Sequence, residues 1–212
     1  MTGAALVHVI DDDAGMRGAL GSLLRSAGFE VALHASTDAF RAAAVVDAPS
    51  CLILDIRLRG ENGLDFQDWL AAERREIPVI LVTGHGDIPM TVRGMKAGAI
   101  DFLPKPFSDE QLLRAVANGI EKSRERREAG AETARLRQGY GKLTPREAEV
   151  MSLVVTGLMN KQVAARLSLS EITVKIHRGN VMKKMEAQSL ADLVRMAEQL
   201  GIRDESIHRF NI

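Results

Sequence analysis

The chain of 212 residues has one cysteine, Cys51, and it lies inside an apolar run. An internal disulfide framework is therefore excluded, which points to a reducing compartment and to plain packing for that thiol. The first residues show no basic stretch followed by an apolar signal core, and no segment approaches the roughly 18 apolar residues that a membrane-spanning helix needs. The expectation is a soluble, cytoplasmic protein with no membrane partner. Net charge is also missing, since 28 basic residues balance 28 acidic ones. That balance hides a division: 11 basic against 16 acidic up to residue 120, and 17 against 12 beyond it. The acidic half and the basic half should have different partners. A chain of this length accommodates two small domains, each burying its own core.

What the sequence does have is a series of short apolar runs that end in polar residues. Cys51-Leu52-Ile53-Leu54 reads as a strand buried on both faces, at the centre of a parallel sheet, and Asp55 follows it. A carboxylate there either caps the next turn or stands at the carboxyl edge of the sheet, where open α/β folds bind ligands. Leu6 to Ile10 is a second such run, ending in Asp11-Asp12-Asp13. Crowded carboxylates require a cation, a basic side chain or open water, and hard oxygen ligands of this kind suit magnesium. A solvated acidic turn is the plain alternative. Val31 to His34 makes a short strand between a helix that starts near Met16 and ends at Gly28 and one, capped by Ser36 or Thr37, that runs through Phe40 to Val46. After a helix from about Gly63 to Ala72, Pro78 to Val82 forms a fourth strand and ends in Thr83-Gly84-His85-Gly86. A helix from about Asp87 to Ala97 stops at Gly98, and Ala99 to Leu103 leads into Pro104-Lys105-Pro106. Five strands alternating with helices predict a doubly wound α/β domain in which Asp11, Asp12, Asp55, Thr83 and Lys105 converge at one edge.

The segments VIDDD, LILDIRL, LVTGHGD and FLPKPF, in this order and spacing, resemble the flavodoxin-like receiver domain of two-component response regulators over roughly residues 5 to 123. The resemblance implies that Asp55 attacks a phosphohistidine of a sensor histidine kinase and becomes an aspartyl phosphate. It implies further that Asp12 directly, Asp11 through water, Asp55 and the Arg57 carbonyl hold Mg2+. Thr83 and Phe102 match the family's switch pair, although Phe102 can equally be an aromatic filling a gap beside the last strand. An acyl phosphate needs a divalent ion and a cation against the phosphoryl oxygens, which the Asp pair and Lys105 supply. One departure stands in Asp55-Ile56-Arg57-Leu58-Arg59, where close relatives of the family carry Pro in place of Arg59; a looser loop is expected. Arg57 and His85 flank the site where family members tune the phosphoryl lifetime. The same resemblance places a dimer face on Val92, Met95, Lys96 and Ile100.

Residues 124–141 are rich in Glu and Arg and read as a solvated helical linker extending the receiver's last helix, with no sustained heptad. Gly130 weakens its middle, and Gly139 with Gly141 is expected to break it.

In the basic half, Thr144-Pro145-Arg146-Glu147 combines a capping threonine, Pro at the first helical position and Glu three residues after the cap. Asn160 can cap a short helix to Leu167, Ser170 a third from Glu171 to Met185, and Ser189 with Asp192 a fourth. Two short helices joined by a tight turn suggest helix-turn-helix. In the third helix Val174, Val181 and Met185 share one face, while Ile172, Ile176, Gly179 and Lys183 lie opposite. The two isoleucines serve either a second packing surface or contact with thymine methyls in a major groove. LTPREAEVMSLVVTGLMNKQVA, TVKIHRGNVMKKM and SLADLVRMA then resemble the LuxR-type helix-turn-helix of FixJ and NarL response regulators. That resemblance puts Lys175, Ile176 and Gly179 at base-reading positions and Lys161, Thr173 and Arg178 nearer phosphate; Lys183, on the same helix face as the isoleucines, is also expected toward double-stranded DNA. His177 is read as a packed helix residue, since no other His or Cys is spaced to join it at a metal.

The expected organisation is a receiver over 1–123, the linker over 124–141, an all-α four-helix DNA-binding domain over 142–206 and a tail over 207–212. The expected function is a transcription regulator that is phosphorylated on Asp55, dimerises, binds specific DNA and engages RNA polymerase, without turnover of an external substrate. The rival from another class is an aspartate-nucleophile phosphatase, which resembles this chain in its carboxylate, magnesium and Lys but carries an Asp-x-Asp pair on the nucleophile's strand. Here Ile56-Arg57 follows Asp55. A scaffold receiver that is never phosphorylated is the third reading, and the complete set of acidic residues, Thr83 and Lys105 counts against it.

Overall fold

The computed structural model describes residues 5–44, 46–84 and 88–202. His85, the expected helix start at Asp87, the expected domain end at 206 and the tail lie outside the described residues. The chain divides into two compact units between Arg127 and Glu128.

In the first unit, β1 (Leu6–Ile10), β2 (Glu30–His34), β3 (Ser50–Asp55), β4 (Val79–Thr83) and β5 (Asp101–Pro104) form one parallel sheet in the order β2-β1-β3-β4-β5. The register pairs Ile10 with Leu54, Asp55 with Val82 and Thr83 with Pro104, so the carboxyl ends of β1, β3, β4 and β5 meet along one edge. Helices α1 (Ala14–Ser26), α2 (Thr37–Ala42), α3 (Gly63–Ala72) and α4 (Ile88–Lys96) fill the crossovers, and α5 runs from Asp109 to Gly141. Short polar side chains start three of them: Asp13 accepts from the Met16 amide, Ser36 from Ala39 and Asn62 from Leu64, each satisfying a donor that the helix cannot. Helix α2 stops at Ala42, short of the expected Val46; the chain turns extended at Ala43, ahead of β-branched residues and Pro49 that favour extended backbone.

Strand alternation sorts the core into two layers. Val7, Val9, Cys51, Ile53, Ile80 and Val82 pack with Leu20 and Leu24 of α1 and Leu112 and Val116 of α5. Ile10, Leu52, Leu54 and Leu81 face the other way, with Phe40, Leu64 and Phe66. Each such side chain contributes on the order of 2 kcal/mol by leaving water. Cys51 is fully buried, and burial pushes its thiol up to about 12, which keeps it inert.

The second layer also encloses two histidines. His8 Nδ1 and His34 Nε2 share a hydrogen bond of 3.1 Å, and both rings meet Phe40 edge-on. Burial, reinforced by His34, pushes His8 down to about 4, and burial lowers His34 as well.

In the second unit, α6 (Pro145–Val154), α7 (Asn160–Leu167), α8 (Glu171–Lys184) and α9 (Leu190–Gln199) enclose a core of Val150, Met151, Val163, Val174, Val181 and Leu193. Thr144 and Glu147 make the reciprocal capping box expected of them. Two expectations are corrected. Met159, not Asn160, caps α7, because Gln162 reaches back to the Met159 amide at 2.8 Å. Helix α5 ends at Gly141 as expected but is not broken at Gly139: a Cβ there would stand 3.3 Å from the Lys184 carbonyl oxygen, so that glycine serves a close approach to α8 within this unit. Among the described residues no helix is long and apolar enough to cross a membrane.

The histidine pair sets a pH dependence. His8 has its folded value depressed below 6.5, so its stabilisation is present above about pH 6.5 and is lost as pH falls toward 4. Urea denaturation followed by Trp69 fluorescence should give about 2 kcal/mol less stability at pH 5 than at pH 7. His8→Phe should flatten that difference; an equal fall in both proteins contradicts the assignment.

Candidate functional site

At the carboxyl edge of the sheet, β3 delivers Asp55, 6% exposed, and β1 delivers Asp11, 1% exposed. Between them, Lys105 Nζ donates to Asp55 Oδ2 at 2.6 Å and to Asp11 Oδ2 at 2.9 Å. The second oxygen of each carboxylate takes a backbone amide: Arg57 N–H to Asp55 at 2.9 Å, Asp13 N–H to Asp11 at 2.8 Å. Burial raises the Asp55 carboxyl above its usual range while Lys105 and the Arg57 amide oppose the rise. Burial alone would lower Lys105, but its hydrogen bonds to Asp55 and Asp11 raise it, so the ammonium stays charged. Thr83 ends β4 fully buried, and its carbonyl accepts from the Lys105 amide at 2.7 Å.

Asp12 is placed differently. It is half-buried, and its Oδ2 pairs with Arg59 Nε at 2.9 Å. Among the described residues no three His, Cys, Asp or Glu side chains are gathered closely enough to hold a metal by themselves. Magnesium does not require such a cage, because it binds through one or two carboxylates and keeps several waters. Asp11 and Asp55, two carboxylates within reach of one ammonium, offer the hard oxygen donors that this ion takes, so the residues fit it.

The loop after Asp55 is tied in ways that the sequence alone did not indicate. The Ile56 amide donates to the Val82 carbonyl, the Gly63 amide returns to Ile56, and Arg57 bridges to Asn62. Arg41 of α2 reaches Glu61 at 2.8 Å, and Arg59, standing where the family carries Pro, reaches Asp12. The Arg41–Glu61 tie holds this loop from the α2 side, whereas the Arg59–Asp12 pair is exposed and adds little stiffness. Gly63 is sterically required, since a Cβ there would collide with the Asp55 carbonyl oxygen.

Phe102 is half-buried against the layer of Leu54 and Leu81. On α4, Val92, Met95 and Lys96 are exposed. Ile100 is not grouped with them: it is half-buried and packs in the layer beneath α1 and α5.

In the second unit α7 and α8 meet through a left-handed Ser168 and the Ser170 cap, which makes the tight turn. Val174, Val181 and Met185 are buried, whereas Ile172 and Ile176 remain 74% and 59% exposed. Lys175, Gly179, Lys183 and Lys161 are exposed as well, and nothing lies within 4 Å of a Cβ built on Gly179. Arg178 donates to Asn160 Oδ1 at 2.8 Å, and Thr173 Oγ1 bonds Ser170 Oγ at 2.8 Å, so both are partly engaged within the domain. Sequence reasoning missed the role of Lys184, which pairs with buried Glu147 at 2.6 Å and thereby holds that carboxyl down at about 2. A glutamate in the capping box and a lysine 37 residues later carry no local signal of that contact.

A parallel five-stranded sheet with a buried Asp–Lys–Asp edge, joined to an α-helical unit with a solvent-facing helix, defines a signal-receiving domain coupled to a helix-turn-helix. Comparisons agree: residues 7–117 match the response regulator receiver domain, and residues 141–197 match the bacterial regulatory proteins of the luxR family. The chain belongs to the response regulators that join a receiver to a LuxR-type DNA-binding domain. It is 57% identical to nodulation protein W of Bradyrhizobium diazoefficiens, across 93% of this chain and 87% of that one. It is 38% identical to the transcriptional regulatory protein FixJ of the same organism, across 97% and 100%. The solved structure of the response regulator StyR superposes with a TM-score of 0.82 at 46% identity, over 92% of this chain and 99% of that one.

Gly63→Ala should lower stability by about 1–3 kcal/mol, because the new methyl must displace the backbone that carries Asp55. Guanidinium denaturation read by Trp69 checks this, and an unchanged midpoint contradicts it.

Proposed function

We propose that the protein is a phosphorylation-controlled transcription factor whose acceptor is Asp55. The observation that carries this reading is the Lys105 ammonium held between Asp55 and Asp11 at the strand ends. An Asp55 carboxylate oxygen attacks the phosphorus of a phosphohistidine on a sensor kinase; the O–P bond forms as the P–N bond breaks, and the imidazole leaves. Lys105 exchanges its contact with Asp55 for one with the phosphoryl oxygens, which places positive charge where negative charge accumulates. Asp11, Asp12, Asp55 and the Arg57 carbonyl would hold Mg2+, which neutralises phosphoryl oxygen charge when bound. Arg59 must then yield Asp12. Because Arg59 is almost fully exposed, that exchange costs little. The protein turns over no external substrate and acts in the cytoplasm, where a kinase and the chromosome are both within reach.

Thr83 turning toward the phosphoryl group, with Phe102 following, would re-form the surface of α4 around Val92, Met95 and Lys96 and favour a dimer; receivers of the FixJ type pair on this face. A dimer matters for affinity. From Tyr140 onward the chain carries 11 basic and 8 acidic residues, so one copy neutralises few phosphates. Two linked copies gain through effective concentration, by roughly 10² to 10⁴. The exposed Ile176, Lys175 and Gly179 then read bases, Lys161 and Lys183 lie toward phosphate, and RNA polymerase is the partner downstream.

Acetyl phosphate with magnesium should add one phosphoryl group by mass spectrometry and shift sedimentation toward the dimer. Asp55→Asn should show neither change, and undiminished labelling of that variant would overturn the assignment. Lys161→Ala should weaken operator and random duplex about equally and make the salt dependence shallower, whereas Lys175→Ala should alter base preference. A change of base preference from Lys161→Ala alone would reverse the inferred docking.

A further inference from the structure

At the opposite edge of the sheet from Asp55, the first unit contains a cleft of about 420 Å³. Strand β3 begins in it at Ser50 and carries Asp55 at its other end. The volume lies within the range of small-molecule sites. The lining is mixed in a particular way. Phe40, Ala43, Val46 and Ile77 supply apolar wall, whereas Arg75, Arg126 and Arg127 bring three guanidinium groups to the same opening.

Those arginines have poor partners. Arg127 pairs with Asp47, whose side chain is 95% exposed, and such pairs hold weakly. Among the described residues Arg126 reaches the Glu76 carbonyl alone, at 3.5 Å. Arg75 lies over the Trp69 ring at 5.5 Å and has no carboxylate partner among the described residues. Glu76 also lines the opening, which leaves an excess of positive charge there.

Two polar side chains of the lining have hydrogen-bonding capacity to spare. His8 is 9% exposed; its Nδ1 meets His34, and its Nε2 has no partner among the described residues. Ser123 is 6% exposed and accepts from the Ser50 amide at 3.0 Å, which leaves its hydroxyl proton to donate. A polar group in the wall of a cleft is matched by a ligand atom or by water. The lowered pKa of His8 keeps the imidazole neutral at physiological pH, so it can meet a hydroxyl or carbonyl without adding charge.

We propose that this cleft binds a small organic acid with an apolar body. The body lies against Phe40, Val46 and Ile77, and the carboxylate meets Arg126 and Arg127, whose bidentate geometry suits it. Arg127 exchanges the exposed Asp47 for a partner held in a half-enclosed cavity. The assignment does not depend on phosphorylation of Asp55.

The test titrates the full-length protein with benzoate, and with benzyl alcohol as the uncharged match, following backbone amide shifts by two-dimensional NMR. Benzoate should give saturable shifts at Ser50, Ile77 and Ser123, with a dissociation constant on the order of 1 mM for a probe this small. Benzyl alcohol should bind at least about fivefold more weakly, as the loss of a charge-assisted pair requires. The double substitution Arg126→Gln with Arg127→Gln, on the protein's surface, should abolish that preference while leaving the remaining spectrum unchanged. Ala48→Leu should remove both probes by filling the cleft. Three results would each overturn the proposal: no saturable shift at these residues up to about 20 times the expected constant, equal affinity for the two probes, or a benzoate preference that survives loss of both arginines.

Discussion

One ammonium group organises the receiver. Lys105 stands between two carboxylates that are almost wholly removed from water, and without it each would face the other in a medium that screens charge poorly. Removing one member of such a group leaves an uncompensated buried charge, at a cost of about 3–5 kcal/mol. The arrangement is therefore stable as it stands and ready to be rearranged, because any entering group that supplies negative charge to Lys105 can replace what Asp55 gives it. The parallel sheet makes this possible. Strands that all run one way deliver their last residues to one edge, and the register of β1, β3, β4 and β5 does so within two residue steps.

The loop beside this site is held by charge. Arg41 reaches Glu61 while stacking over Phe66 and Trp69 at 5.0 and 4.7 Å, so α2 is joined to the loop through one side chain. Arg59 on Asp12 is the opposite kind of contact, exposed and easily exchanged. One end of the loop is thus anchored and the other is held only by an exposed pair.

In the second unit, α8 serves two environments. Its inner face is committed to the core by Val174, Val181 and Met185, and its end is fixed by Lys184 on buried Glu147. Its outer face keeps Ile172 and Ile176 in solvent. An apolar side chain exposed on a well-anchored helix has not found a place in its own core, and the neighbouring Lys175, Gly179 and Lys183 place it on a surface suited to a polyanion with apolar groups in its groove.

Much of this was legible in the sequence because local rules carry it. Apolar runs long enough for one strand, glycines after helices and Ser, Thr or Asp ahead of them act over four residues or fewer. They located all five strands and most of the helices, and once the strands were parallel the convergence of Asp11, Asp55, Thr83 and Lys105 followed from topology. The contacts that only the tertiary structure decided join residues far apart: Lys184 with Glu147, Arg59 with Asp12, His8 with His34, Gly139 against the end of α8. The departures from expectation have the same origin. Gly139 and Gly141 were expected together to break a helix, but the break falls at Gly141 and a close neighbour gives Gly139 its use; Ile100 was expected on an exposed face, but it is half-buried against the layer beneath α1 and α5. The physical reason is that propensity, capping and periodicity are properties of a segment, whereas a hydrogen bond or an ion pair between segments depends on the side chain that packing brings opposite.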